Sequence, residues 1–137
     1  LVPKEKKKLI VYDIGCYIGS FSKRLNILLK KKFKIKYYLF DPMPNIDKEI
    51  QIDDFKYEFY NFAVSNKEGV RNFNLNTQNS WSGSSLSSIQ KNSKLFNASR
   101  NFISLNFGKK LFKIIKVKSI ILDKFIKKKK KYKLLIY

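Results

Sequence analysis

Histidine is absent from this 137-residue chain, and cysteine and tryptophan occur once each. Without histidine, neither a Ser-His-Asp nor a Cys-His arrangement can be assembled, and most zinc chemistry goes with them. The lone Cys16 excludes an internal disulfide and a cysteine-cluster metal site, so no metal is expected and a reducing, cytoplasmic setting fits. No apolar run approaches the roughly 20 residues that cross a bilayer as a helix, so no membrane span is expected. The opening Leu1-Val2-Pro3-Lys4 has no apolar h-region of a signal peptide. Acidic residues are also scarce: 10 Asp and Glu stand against 30 Lys and Arg, a net charge of +20.

What is present suffices for one compact domain, residues 1–137. A chain of this length buries roughly two-thirds of its unfolded surface. Hydrophobic residues at 44% exclude a disordered tail. The charge has two readings. An anionic partner, nucleic acid or a membrane surface, is one. The other is codon usage: Lys, Ile, Asn, Phe and Tyr have AT-rich codons and dominate the chain, while arginine occurs three times. The lysines are dispersed, which suits the second reading and predicts no specific nucleic-acid partner.

Leu9-Ile10-Val11-Tyr12-Asp13 reads as a buried parallel strand ending in an acid. Residues 20–32 follow a helical period, with Phe21, Leu25, Leu28 and Leu29 on the expected core face and Lys23, Arg24, Asn26 and Lys30 opposite. Residues 36–41 predict a second strand, stopped by Pro42 and Pro44, and residues 45–51 a short helix. A third strand is expected over residues 56–64, a turn over 65–69 and a fourth strand over 70–75. The serine-rich stretch 76–101 reads as a long loop. Residues 113–119 predict a strand antiparallel to 70–75, and residues 121–127 one or two helical turns. The lysines at 127–131 predict a solvated turn, and residues 133–137 a last buried strand. Alternating strands and helices predict an open α/β sheet, with any ligand beyond the carboxyl ends of the strands. Asp13 and Asp41 both stand at such ends.

The chemistry concentrates in Asp13-Ile14-Gly15-Cys16-Tyr17-Ile18-Gly19, directly before the helix. The spacing departs from the G-x-G-x-x-G of dinucleotide binding, and a carboxylate takes its first position. A carboxylate there repels a pyrophosphate and suits a ligand bearing cations. S-adenosylmethionine, with its ammonium and sulfonium, is such a ligand. Gly15 permits close backbone approach, Gly19 a tight helix start, and the helix N-terminus can take the ligand's carboxylate. An acid after the next strand, Asp41, can accept both ribose hydroxyls. Cys16 reads as a small packing residue and Asp53-Asp54 as a solvated turn. The sequon Asn97-Ala98-Ser99 is discounted without a secretion signal.

At these residues the chain resembles the FkbM family of class I S-adenosylmethionine-dependent methyltransferases. The resemblance rests on an ordered set. It comprises Val11-Tyr12-Asp13-Ile14-Gly15 with Ile18-Gly19, Leu39-Phe40-Asp41-Pro42-Met43-Pro44, and Asn61-Phe62-Ala63-Val64-Ser65 with Glu68-Gly69. Ser84-Ser85-Leu86 and Ser119-Ile120-Ile121-Leu122-Asp123 complete it. It implies an incomplete Rossmann-like class I methyltransferase sheet, made of the first strands and helices plus an antiparallel hairpin. Asp13, Gly15, Cys16, Tyr17 and Gly19 would lie along the methionine part of the cofactor and Asp41 and Pro42 at the ribose. Asn61, Ala63 and Val64 would lie near the adenine. The implied activity is methyl transfer to a hydroxyl of a sugar or secondary metabolite.

The family usually carries Ala-Asn where this chain has Cys16-Tyr17, and a longer Glu at Asp41. Its pattern also continues past the last strand. The expectation is therefore a cofactor-binding part without its substrate half, inactive by itself and with catalytic residues unassigned. Three alternatives stay open: an RNA methyltransferase of the same fold, a non-catalytic basic nucleic-acid-binding module, and, against the glycine spacing, a nicotinamide-dependent oxidoreductase.

Overall fold

A computed structural model describes residues 6–76, 84, 86 and 112–133. Two compact units emerge, Leu1–Gly69 with Lys118–Tyr137, and Val70–Val117.

The first unit is built on a parallel sheet of order β1-β2-β3, formed by Lys7–Ile14, Phe33–Phe40 and Tyr57–Tyr60. Helix α1, Ser20–Leu29, connects β1 to β2. The register runs Lys7↔Phe33 to Ile14↔Phe40 and Tyr37↔Tyr57 to Phe40↔Tyr60, so the strands end together at Ile14, Phe40 and Tyr60, with Asp13 one residue before one end and Asp41 one residue after the next. Tyr37, Tyr38, Leu39 and Phe40 are all buried. Four consecutive buried residues mean that the central strand is covered on both faces, as a parallel sheet requires.

One face packs Cys16, Tyr37, Leu39, Ile50 and Ile52 together, with Val11 and Leu25 against them. The other is aromatic. Phe125 of helix α2, Leu122–Lys133, sets its edge against Tyr38, Phe40 and Tyr60, with centroids 6.0, 5.2 and 4.9 Å apart. One turn further on, Lys129 Nζ lies over the Tyr60 ring and donates to Glu58 Oε2 at 2.7 Å. Lys36 reaches the other oxygen of Glu58, also at 2.7 Å.

Several sequence expectations change. The lysines at 127–131 belong to α2 rather than to a turn. Lysine is a good helix former, Asp123 stands in the first turn, and Phe125 and Lys129 anchor the helix to the sheet. The expected third strand divides into β3 and β4, Ala63–Val64, which sit in different sheets. The break falls where Phe62 N turns back to Tyr60 O at 2.8 Å. The core face of α1 is also different: Ser22 and Asn26 are buried while Phe21 and Leu28 are exposed. Ser22 bonds to Asp13, and Asn26 accepts from the Tyr37 hydroxyl, so the polar pair can face the core without an unmade bond.

The expected helix over 45–51 shortens to a 3-10 turn, Ile46–Lys48, which still buries Ile46. β4 pairs parallel with β6, Phe112–Ile120, through Ala63↔Ser119 and Val64↔Ile120. Ser119 Oγ pins the 65–69 turn, 2.7 Å from Lys67 O and 3.1 Å from Gly69 O. In the second unit, β6 neighbours β5, Gly69–Asn76. Asn76 N there donates to Ser84 Oγ at 2.9 Å.

Most of the serine-rich loop, including Trp81, Ser85 and the 97–99 sequon, lies outside the described residues. Of the expected last strand, residue 133 closes α2 and residues 134–137 lie outside the description. No helix among the described residues is long and apolar enough to cross a membrane.

Candidate functional site

The loop between β1 and α1 is shaped by three left-handed residues at alternate positions, Gly15 at φ 75°, Tyr17 at φ 50° and Gly19 at φ 78°. Gly15 N and Cys16 N both donate to Phe40 O, at 2.8 and 3.1 Å, holding the loop across the end of β2. Gly19 N closes back on Cys16 O at 2.8 Å, and Gly19 O accepts from Lys23 N to start α1. A Cβ at Gly15 would meet nothing within 4 Å, so the loop presents bare backbone there. A Cβ at Gly19 would come within 2.5 Å of Ile52 Cδ1, so that glycine sits tight against the core.

Asp41 is the hub. Its Oδ2 accepts from Tyr17 N and its Oδ1 from Met43 N, both at 2.9 Å. Its own N–H donates to Tyr60 O at 3.2 Å. Asn61 clasps the turn from the far side, donating through Nδ2 to Asp41 O and Met43 O at 2.8 Å each. Hydrogen bonds thus bring Asp13, Gly15, Cys16, Tyr17 and Gly19 together with Asp41, Pro42 and Asn61, at the carboxyl ends of three adjacent strands. Ala63 and Val64 follow Asn61 closely but belong to β4 and its pairing with β6. The structure ties Asn61, not those two, to the Asp41 turn.

Asp13 and Asp41 are both buried, and neither is in an ion pair with Lys or Arg among the described residues. Burial pushes the Asp41 carboxyl up, the N–H groups of Met43 and Tyr17 pull it down, and the charge of Asp13 raises it again. The Cys16 thiol, buried beside both, is pushed up to about 12 by burial first, then by Asp41 and Asp13. Two buried carboxylates thus flank this loop with no ion-pair partner among the described residues. Each carboxylate oxygen of Asp41 has spent one acceptor site on backbone, and a carboxylate offers about four.

A cavity of about 580 Å³ is lined by Tyr60, Phe62, Phe125, Glu68, Lys124, Lys128 and Lys129 among others, and Tyr60 connects it to the Asp41 turn. Lys124 is paired with Glu68 at 3.0 Å and Lys129 with Glu58. Among the described residues, no group of three His, Cys, Asp or Glu is placed to hold a metal ion.

Sequence reasoning missed Ser22, whose Oγ donates to Asp13 Oδ2 at 2.6 Å. A signal existed: Ser22 and Asn26 are four apart, a polar pair on one helix face. It also missed the Glu58 cluster, for which no local signal exists, since Lys129 is 71 residues away. No family model, curated protein or solved structure matches the chain.

Proposed function

We propose that the loop 13–19 and the Asp41 turn bind S-adenosylmethionine, in a Rossmann-like domain that serves transfer of a methyl group to a hydroxyl of a sugar or secondary metabolite. The observation that carries this reading is the pair of buried carboxylates, Asp13 and Asp41, with no ion-pair partner among the described residues, beside a bare, left-handed glycine loop. Buried carboxylates are costly unless paired, and a cationic ligand supplies the missing charge. Consecutive parallel strands β1-β2-β3, joined first by α1, support the Rossmann-like reading, which puts a ligand at the carboxyl ends of the strands.

The residues fit the cofactor in kind. The free acceptor sites of Asp41 suit ribose hydroxyls, and Gly15 admits a ligand to the backbone. Tyr60, whose carbonyl accepts from Asp41 N, lines with Phe62 an aromatic cavity that suits stacking of an adenine. Bound there, S-adenosylmethionine supplies an electrophilic methyl on sulfur. What this chain contributes is binding and orientation, and holding donor and acceptor at near-attack distance supplies much of the acceleration in such transfers. No general base is assigned.

Equilibrium dialysis of the chain with radiolabelled S-adenosylmethionine tests the reading. Retained label, displaced by unlabelled S-adenosylhomocysteine and not by NAD, is the expected result. Displacement by NAD, or no retention by the folded chain, would reject it.

A further inference from the structure

Helix α1 turns part of its apolar surface outward, although Leu25 still packs on the core. Its inward face mixes the buried Ser22 and Asn26 with the half-buried Leu25 and Leu29, while Phe21, Ile27 and Leu28 are 60%, 61% and 73% exposed. At about 100° per residue, Phe21, Arg24, Ile27 and Leu28 share roughly one third of the helix circumference. The chain then runs into Lys30, Lys31 and Lys32, all exposed. At the end of the helix, on the Asn26 side, a groove of about 570 Å³ is lined by Lys6, Lys8, Lys30 and Lys34 with Phe33 and Ile35 and no acidic residue. Lys6 Nζ reaches Lys30 O at 2.9 Å, which joins the groove to the end of α1. None of these lysines has a carboxylate partner among the described residues.

We infer that α1 and the lysines at its end dock on an anionic lipid surface. Phe21, Ile27 and Leu28 enter the boundary between headgroups and acyl chains, and the lysines meet the lipid phosphates. Charge selects this occupant. A second copy of a chain carrying +20 would set lysine against lysine. A nucleic acid would neutralise the lysines and leave the apolar arc in water. An anionic bilayer satisfies both halves, as it does for interfacial helices with an apolar face and a basic flank.

The test is co-sedimentation of the 137-residue chain with vesicles of phosphatidylcholine alone and with vesicles rich in phosphatidylserine. A single-stranded RNA is titrated in parallel, and circular dichroism verifies the fold of each variant. Of the two vesicle preparations, only the phosphatidylserine-rich one is expected to bind the chain. A lysine near such a surface is worth about fivefold, so Lys30→Gln, Lys31→Gln and Lys32→Gln together should weaken it about a hundredfold. Phe21→Ser with Leu28→Ser should weaken vesicle binding about tenfold and leave RNA binding unchanged. Equal binding to both vesicles would overturn the inference. So would vesicle binding indifferent to Phe21→Ser and Leu28→Ser, which would leave RNA or another polyanion as the occupant. A dimer abolished by Leu28→Ser would assign the face to a second copy instead.

Discussion

Ser22 Oγ donates a 2.6 Å hydrogen bond to Asp13 Oδ2, locking the first turn of α1 to the end of β1. Both residues are buried, so the bond holds the intervening loop between two fixed ends. Ser22→Ala should cost about 1.5–3 kcal/mol, the range for a buried hydrogen bond to a charged group. A double-mutant cycle with Asp13→Asn, read by urea unfolding, should return a coupling of at least about 1 kcal/mol. Additive losses would mean that the two side chains act independently.

Glycine replacements should rank by position. Gly15→Ala meets open space and pays only for the left-handed backbone, about 1–2 kcal/mol. Gly19→Ala pays the same and must also displace Ile52, so it should lower the unfolding midpoint further.

Tyr17 adopts φ 50° with a bulky side chain, a conformation that asparagine tolerates far better. Tyr17→Asn should therefore raise stability by about 1 kcal/mol, measured by thermal unfolding. A lower midpoint would show that the tyrosine ring contributes more packing than its backbone costs.

The α/β alternation, the strand ends at Asp13 and Asp41 and the glycine loop were legible in the sequence because each is local. Apolar runs, prolines and glycines act on their neighbours. The inward face of α1 was not legible, because hydrophobic periodicity assumes that apolar residues go in. Here Ser22 and Asn26 take the inward positions, since Asp13 and Tyr37 wait there with matching groups. The helix over the lysine run was hidden for a similar reason. Its anchor is Glu58, on a strand far away in the chain. For Asn61 the resemblance implied only a place near an adenine, and its clasp on Asp41 O and Met43 O is a tertiary fact that no local pattern carries.

Acid should act through Glu58. Burial raises this carboxyl, but hydrogen bonds from Lys129, Lys36 and Tyr60 outweigh it and hold the group at about 2, below the ordinary 4.5. A depressed carboxyl contributes stability above its ordinary value and loses it as pH falls toward the depressed one. The stability difference between the chain and Glu58→Gln should be full above pH 4.5 and fade towards pH 2. A difference constant across that window would contradict the assignment.

The Cys16 thiol, pushed up to about 12, stays protonated at neutral pH and should be inert in the folded chain. Labelling with iodoacetamide at pH 8 should be slow in native buffer and fast in urea. Rapid native labelling would mean that the loop opens and that the carboxylate pair is not held buried.

Calorimetric titration of the chain with S-adenosylmethionine and with NAD tests the central claim most directly. Asp41→Asn and Asp41→Ala are titrated alongside, each verified as folded. The account predicts binding of S-adenosylmethionine alone, weakened about 10- to 100-fold by either substitution, as the loss of charge-assisted bonds requires. Binding of NAD without S-adenosylmethionine, or an unchanged affinity in the folded Asp41 variants, would contradict it.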